Sequence, residues 1–283
     1  MAPTDTRASP RPADAVATGH PRRLLLALLG ELLERGVGDA PLRAGVYLEV
    51  LEGAGVAGPT ARATLDRMVV RDILTRARVG RGVGYGLAAH GRQVLLEASE
   101  RVHSPYPFSP HGSGWTLVTF SVPEGQRTLR HRLRAALTWE GFAPVRDGLW
   151  VASGEVDLAG ALGSLREELP SSSIVAFRAD DLPDFPLAAS MRKAWDLAEI
   201  RGAHERFLAA WEDPTVLAAS VPPASALAML VSDWLALLRA DPRLPASLLA
   251  SDWPAARSID AYRARRRDLL TPARAALADL IAR

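Results

Sequence analysis

Apolar positions along the chain fall into runs of two periods, one helical and one alternating. From Pro21 to Arg35, Leu25, Leu28, Leu29, Leu32 and Leu33 recur at helical spacing, and Gly36 is placed to stop the helix. Pro41 to Leu51 repeats the pattern with Leu42, Val46 and Val50 on one side. Gly53, Gly55 and Gly58 predict a turn. Pro59 then opens a third helix, reaching to about Arg71, where the missing N–H of proline costs nothing. The inner stripe of that helix is Ala61, Leu65, Met68 and Val69. Ile73 to Val79 and Tyr85 to Leu87 have strand composition and flank the turn Gly80-Arg81-Gly82-Val83-Gly84. Three helices followed by a hairpin is the order of a winged helix-turn-helix.

The next run changes period. Trp115 to Ser121 is rich in β-formers, and Pro123 ends it. Arg127 to Trp139 predicts a helix with Leu129, Leu133, Ala136 and Leu137 inward and Arg127, Arg130 and Arg134 outward. Phe142 to Val145 and Leu149 to Ala152 predict a hairpin about Asp147-Gly148. Leu158 to Leu169 reads as one helix and Ile174 to Arg178 as a last strand. That order, β-α-β-β-α-β, is the ferredoxin-like unit, a fold that licenses no function by itself. Trp139, Phe142 and Trp150 are expected to pack in its core and hairpin. After it the pattern is helical: Pro186 to Trp211, either unbroken or interrupted near Gly202, then Ala224 to Ala240, then Ser258 to Ala282.

Punctuation divides these patterns. Residues 1–20 read as a disordered leader, 21–103 as a winged-helix domain, 115–181 as a ferredoxin-like domain and 186–283 as a helical domain. The Pro- and Gly-rich stretch 104–114 and Leu182-Pro183-Asp184-Phe185-Pro186 separate them. The expected fold class is therefore α+β and multidomain.

Charge sharpens this division. The chain of 283 residues has 34 basic and 32 acidic side chains, a net of +2, too weak a field to argue for a nucleic-acid partner. Split by region, residues 1–110 carry +3, 111–182 carry −2 and 183–283 carry +1. Within 57–85 six Arg face two Asp, giving +4 in 29 residues. Nearly all the basic residues are Arg, and Lys193 is the single Lys. The absence of Cys removes disulfides, thiolate metal sites and cysteine nucleophiles. The apolar run Leu24 to Leu29 is interrupted by Gly30 and Glu31, far short of the roughly 20 residues of a membrane span. A soluble, cytoplasmic protein without a membrane partner is expected.

The candidate chemistry follows the charge. At 100° per residue, the outer side of the third helix carries Thr60, Ala63, Thr64, Arg67 and Arg71. Small and hydroxylated residues near its start permit close approach to a major groove, and Arg can meet guanine edges or phosphates. With Arg62 on the helix and Arg76, Arg78 and Arg81 on the hairpin, these nine residues are the candidate DNA contacts. The bland alternative is a packed amphipathic helix with a solvated Arg face. The hairpin glycines match neither the dinucleotide fingerprint nor a P-loop. Arg127, Arg130, His131 and Arg134 fit a solvated face or a second nucleic-acid track. Trp195, Trp211, Trp234 and Trp253 crowd the helical segment, filling a core or dimer contact or lining an aromatic or acyl pocket. The six His show no metal-ligand spacing and no Gly-x-Ser-x-Gly elbow occurs, so neither a cofactor nor an enzyme is expected.

Several motifs together resemble one family. They are Val122-Pro123-Glu124, Arg127, Arg130, Leu133 and Arg134, Gly141-Phe142, and Gly148-Leu149-Trp150-Val151, followed by Trp195-Asp196-Leu197, Phe207, Asp241-Pro242-Arg243-Leu244-Pro245, Leu248-Leu249 and Asp252-Trp253-Pro254. This set is similar to the PaaX-type repressors of phenylacetic acid catabolism. The resemblance implies a dimeric bacterial regulator whose winged helix binds double-stranded operator DNA and whose middle domain is Cas2-like. It also implies a C-terminal domain for dimerisation and effector response, with a CoA thioester as effector. Trp195, His204, Phe207 and Trp234 are the effector-binding candidates. The chain departs from the family's pattern at His204, at Ser121 and in Gly86-Leu87-Ala88-Ala89-His90-Gly91. The expected function is a DNA-binding transcriptional regulator, a repressor controlled by a small molecule. A metal-dependent nuclease using the Cas2-like domain is the alternative, although Ser121 stands where an Asp would hold the metal. An interaction adaptor that has lost DNA binding is another.

Overall fold

The computed structural model describes residues 20–37, 40–146, 148–163, 165–170, 173–181, 188–217 and 220–283. The expected leader (save His20), Asp147 of the hairpin turn and the linker 182–186 lie outside the described residues. The chain divides into two compact units. One gathers the residues up to Ser104 with Glu205–Ala236 and Ala256–Arg283, and the other gathers Pro105–His204 with Leu237–Ala255. The segment expected as a single helical domain therefore contributes to both.

In the first unit the leucine stripe builds α1 (Pro21–Glu34), which buries Leu24, Leu25, Leu28, Leu29 and Leu32. A two-residue strand, β1 (Leu42–Arg43), precedes α2 (Ala44–Gly53) and α3 (Gly58–Val70). The second helix begins later than its periodicity suggests, because Leu42 and Arg43 pair instead with Tyr85 and Gly84. Strands β2 (Leu74–Val79) and β3 (Gly82–Leu87) form the hairpin, and the sheet order is β1-β3-β2 with antiparallel pairing throughout. The expected five-residue glycine turn shrinks to Gly80-Arg81, with Gly80 at φ +60° and Gly82, Val83 and Gly84 paired to Val79, Arg78 and Ala77. Gly84 is confined by both neighbours, since a Cβ there would strike the Val79 side chain and the Leu42 carbonyl. The helix α4 (Ala89–Val102) follows.

Three further helices, α9 (Leu197–Trp211), α10 (Pro223–Ala240) and α11 (Ala255–Ala282), supply the rest of this core. Ala27 packs with Leu227, Val231 and Ala273, and the Ser225 hydroxyl donates to the Val50 carbonyl at 2.9 Å. Trp234 stacks on Tyr262 at 4.2 Å and touches Phe207 at 5.5 Å. Glu31 is only 4% exposed, and Arg266 answers it: Nη2 lies 2.9 Å from Glu31 Oε1 and 2.9 Å from Glu34 Oε2. His103 Nε2 lies 3.3 Å from the other Glu34 oxygen. By length and hydropathy α10 passes the test for a membrane span, but 67% of it is buried inside the structure, and a core helix passes the same test.

The second unit holds β4 (Trp115–Phe120), α5 (Arg127–Trp139), β5 (Ala143–Arg146), β6 (Leu149–Ser153), α6 (Leu158–Leu162), α7 (Leu165–Glu168) and β7 (Ile174–Ala179). The sheet is antiparallel in the order β5-β6-β4-β7. Strand alternation sends Val118, Trp150 and Ala152 to one face, against Leu129, Leu133 and Leu137 of α5. Trp115, Ala143 and Val151 go to the other, against Trp195, Ile200, Leu244 and Leu248. The single helix expected over 158–169 is two, because Gly163 takes φ +45° between them. Asp157 caps the first, accepting from the Ala159 and Gly160 amides. The break expected near Gly202 falls instead at Trp195-Asp196, between α8 (Ala188–Ala194) and α9, where Asp196 Oδ1 accepts from the Glu199 amide at 3.0 Å. Phe142 and Trp150 are buried as expected, whereas Trp139 is partly exposed and carries the Arg239 guanidinium 4.1 Å over its ring.

Two outcomes test this packing. Arg266→Ala leaves a buried carboxylate without its partner and should cost about 3–5 kcal/mol in urea unfolding. Replacing Glu31 by Leu and Arg266 by Met together should restore most of that loss. The second concerns Asp233, which accepts from the Trp211 indole N–H at 2.9 Å. Burial raises its pKa against the lowering effects of the Trp211 bond and the Arg23 charge. A raised carboxylate binds its proton more tightly in the folded state, so its contribution is full below the unfolded pKa and fades as pH climbs through the folded one. Asp233→Asn keeps an acceptor for Trp211 and should raise Tm at neutral pH but not at pH 3.

Candidate nucleic-acid interface

The helix α3 is placed by its buried stripe. Ala61, Leu65 and Met68 are buried, which turns Thr60, Arg62, Ala63, Arg67 and Arg71 to solvent. Two further residues that the sequence reading omitted share this side: Asp66, which is exposed, and Val70, 88% exposed. Thr64 differs from its expected outward position. It lies next to the Met68 stripe and is buried, so it has no direct access to a ligand. Its hydroxyl donates to the Thr60 carbonyl at 2.7 Å and accepts from Arg67 Nη2 at 3.0 Å. Thr64 thus orients an exposed guanidinium.

The hairpin is tied to this helix through Tyr85. Its hydroxyl donates to Asp66 Oδ1 at 3.1 Å, its carbonyl accepts from the Tyr47 hydroxyl at 2.9 Å, and the two rings meet edge to face at 6.2 Å. Burial is the main cause raising the pKa of both phenols, and in Tyr85 the bond to Asp66 adds to it. Both tyrosines keep their donor protons at neutral pH. Arg76 pairs with Tyr85 and Arg78 with Val83 across the strands, so these side chains share the sheet face that Tyr85 turns toward α3. Arg81 stands at the turn. Sequence reasoning missed Tyr85 and Asp66 as positioning residues, since their contact spans 19 positions and leaves no local periodic mark.

Positive charge is concentrated on this surface, with six Arg and two Asp within residues 57–85. Arg132, Arg178, Arg201, Arg243, Arg257, Arg265, Arg266 and Arg283 each meet a carboxylate. Among the described residues, Arg62, Arg67, Arg71, Arg76, Arg78 and Arg81 meet none. Arg22 at the start of α1 joins them. Burial first, and the positive charge of Arg71 second, pull its pKa below the ordinary guanidinium value. The exposed part of α3 and the hairpin therefore present a net-positive cluster in which guanidinium groups outnumber the carboxylates, Asp66 and Asp72 being the acids among them.

The four effector candidates divide between the two units. Trp195 lines a cleft of about 300 Å³ with Thr138, Phe142, Ile200, Glu199 and Arg239. His204 is 0% exposed, with Nε2 2.9 Å from Asp241 Oδ2 and its ring 4.7 Å from Phe108. The other oxygen of Asp241 accepts from the Arg243 amide at 2.6 Å and holds the corner in which Arg243 has φ +60°. Phe207 and Trp234 are buried around Tyr262 in the first unit. Such packing suits a core as well as one wall of a pocket. Among the described residues, no group of three or more His, Asp or Glu side chains could hold a metal ion.

Comparison with known proteins agrees with this architecture. Residues 109–183 match the PaaX protein central Cas2-like domain, and residues 195–279 match the PaaX-like protein C-terminal domain. No curated protein matches the chain. In fold the chain is similar to the uncharacterized protein Rv0674 from Mycobacterium tuberculosis, with a TM-score of 0.56 and 23% identity, covering 87% of this chain and 95% of that one. The two domain matches cover more than half of the 283 residues, and the chain belongs to the PaaX family.

Proposed function

We propose that the protein is a DNA-binding transcriptional regulator whose residues 21–103 form a winged helix. In this reading α3 enters the major groove and the β2–β3 hairpin is the wing. The observation that carries it is the concentration of positive charge on α3 and the hairpin, where six exposed Arg lie within 29 residues and, among the described residues, none forms an ion pair with a carboxylate. A net-positive surface attracts polyanions, and a phosphate backbone is such a polyanion. Thr60 and Ala63 allow close approach, Arg67 is aimed by Thr64, and exposed Val70 offers an apolar contact to a thymine methyl.

PaaX membership extends the reading to a homodimeric cytoplasmic repressor of bacterial catabolic genes, with a ferredoxin-like middle domain. Its affinity for operator DNA responds to a small molecule, an acyl- or aryl-CoA thioester. Trp195 lines an open cleft, and in this reading that cleft takes the effector.

Arg67→Ala combined with Arg78→Ala should lower operator affinity and reduce the slope of log K against log salt by about 2, one phosphate contact for each Arg. Footprinting upstream of the protein's own gene supplies the operator, and unchanged affinity in the double variant would overturn the assignment. In thermal shift, a CoA thioester that binds the native state should raise Tm by an amount that grows with its concentration. A panel of aryl and acyl thioesters that leaves Tm unmoved would remove the effector from the reading.

A further inference from the structure

We propose that the outer face of α5 is a second phosphate-binding surface, which engages the backbone of duplex DNA without reading its sequence. This rests on the DNA-binding reading above. Residues 127–139 contain four Arg, one His and no acid. They lie within a region, 111–182, that is net acidic at −2. Leu129, Leu133 and Leu137 are buried against the sheet, which fixes the rotation of the helix. Arg127, His131 and Arg134 then fall on one side at spacings of four and three, and all three are exposed.

The cations on the flanks of α5 are used internally. Arg132 is bidentate on Glu168, at 2.7 and 2.9 Å. Arg130 Nη2 donates to the Val122 carbonyl at 2.6 Å. Among the described residues, Arg127, His131 and Arg134 hold no such partner. Their placement opposes helix stability twice over. Arg127 sits in the first turn, where the helix dipole disfavours a positive charge and which itself contains no acid, Glu124 lying just before it. Arg127 and Arg134 also lie three and four residues from Arg130, spacings at which like charges repel. A bound polyanion reverses the sign of both effects. The stripe from Arg127 to Arg134 runs about 10 Å along the axis, a length over which one strand of B-DNA carries about three phosphates. Nothing on this face resembles a base-reading set, so the contact is predicted to be indifferent to sequence.

The test uses the full chain and a 40-base-pair duplex of random sequence over a series of salt concentrations. Arg127→Gln with Arg134→Gln should weaken binding about tenfold or more near 0.1 M salt and lower the salt slope by up to about 2. Arg127→Lys with Arg134→Lys should retain the affinity, because a point charge suffices for phosphate. A matched control, Arg132→Gln with Arg178→Gln, removes the same formal charge from residues already paired with carboxylates and should leave the slope unchanged. Thermal melting of the Gln pair should show no loss of Tm, since both side chains are exposed and unfavourably placed. Wild type that fails to bind any duplex would defeat the proposed function itself. Wild type that binds, with a Gln pair of equal affinity and slope, would overturn this inference alone. So would equal losses in the Gln pair and the control, which would reduce the effect to overall charge.

Discussion

The first unit depends on an ionic interaction centred on a carboxylate that is almost wholly shielded from water. Glu31 belongs to an otherwise leucine-lined helix face, and the neighbouring turns leave it almost no solvent. Burial pushes its pKa up, while the Arg266 guanidinium, its bonds and His103 pull it down against Glu34. A carboxylate in such a place is tolerable only with a partner of fixed position, and α11 supplies one from 235 residues away. The helix that opens the proposed winged helix and the helix that closes the chain therefore have to be registered against each other to within a hydrogen-bond length. Leucine packing alone would accept several registers, and the Glu31, Glu34 and Arg266 set accepts one.

Orientation of the candidate interface relies on a different kind of constraint. Tyr85 takes part in the sheet, donates to Asp66 of α3 and accepts from Tyr47 of α2. Three elements thereby meet at one ring. Asp66 would otherwise be a carboxylate within a basic surface, and its engagement by a phenol fixes where that negative charge lies. Thr64 performs a similar task one turn away. The exposed groups that would meet a ligand are thus held by less conspicuous residues behind them, as preorganised sites require.

Much of this was legible in the chain, and the exceptions have physical causes. The leucine stripe of α1 and the Ala61, Leu65, Met68 stripe of α3 are strictly periodic, and both helices appear with those faces buried. The strands flanking Gly148 were readable because β-formers stood on both sides of a turn signal. Strand β1 was not, since two residues cannot establish a period. Thr64 was misplaced because it borders the apolar stripe, where a hydroxyl can turn inward and bond the preceding turn. The break at Gly163 was hidden in an otherwise helical pattern, because only the backbone angle distinguishes a tolerated glycine from a stop. Of the effector candidates, Phe207 and Trp234 have residue types that suit a pocket and a core equally, and both are packed with Tyr262.

The unpaired cations of α3 and the hairpin are all arginine, and the chain holds a single lysine, Lys193, elsewhere. A guanidinium stays protonated across the physiological range, and it cannot be neutralised by acetylation of an amine. The surface consequently has neither a proton switch nor an acetyl switch among its own cations. Its attraction for a polyanion is permanent. Whatever releases such a ligand has to displace the surface, reshape the support behind it or compete for the anion, because the surface cannot discharge its own cations.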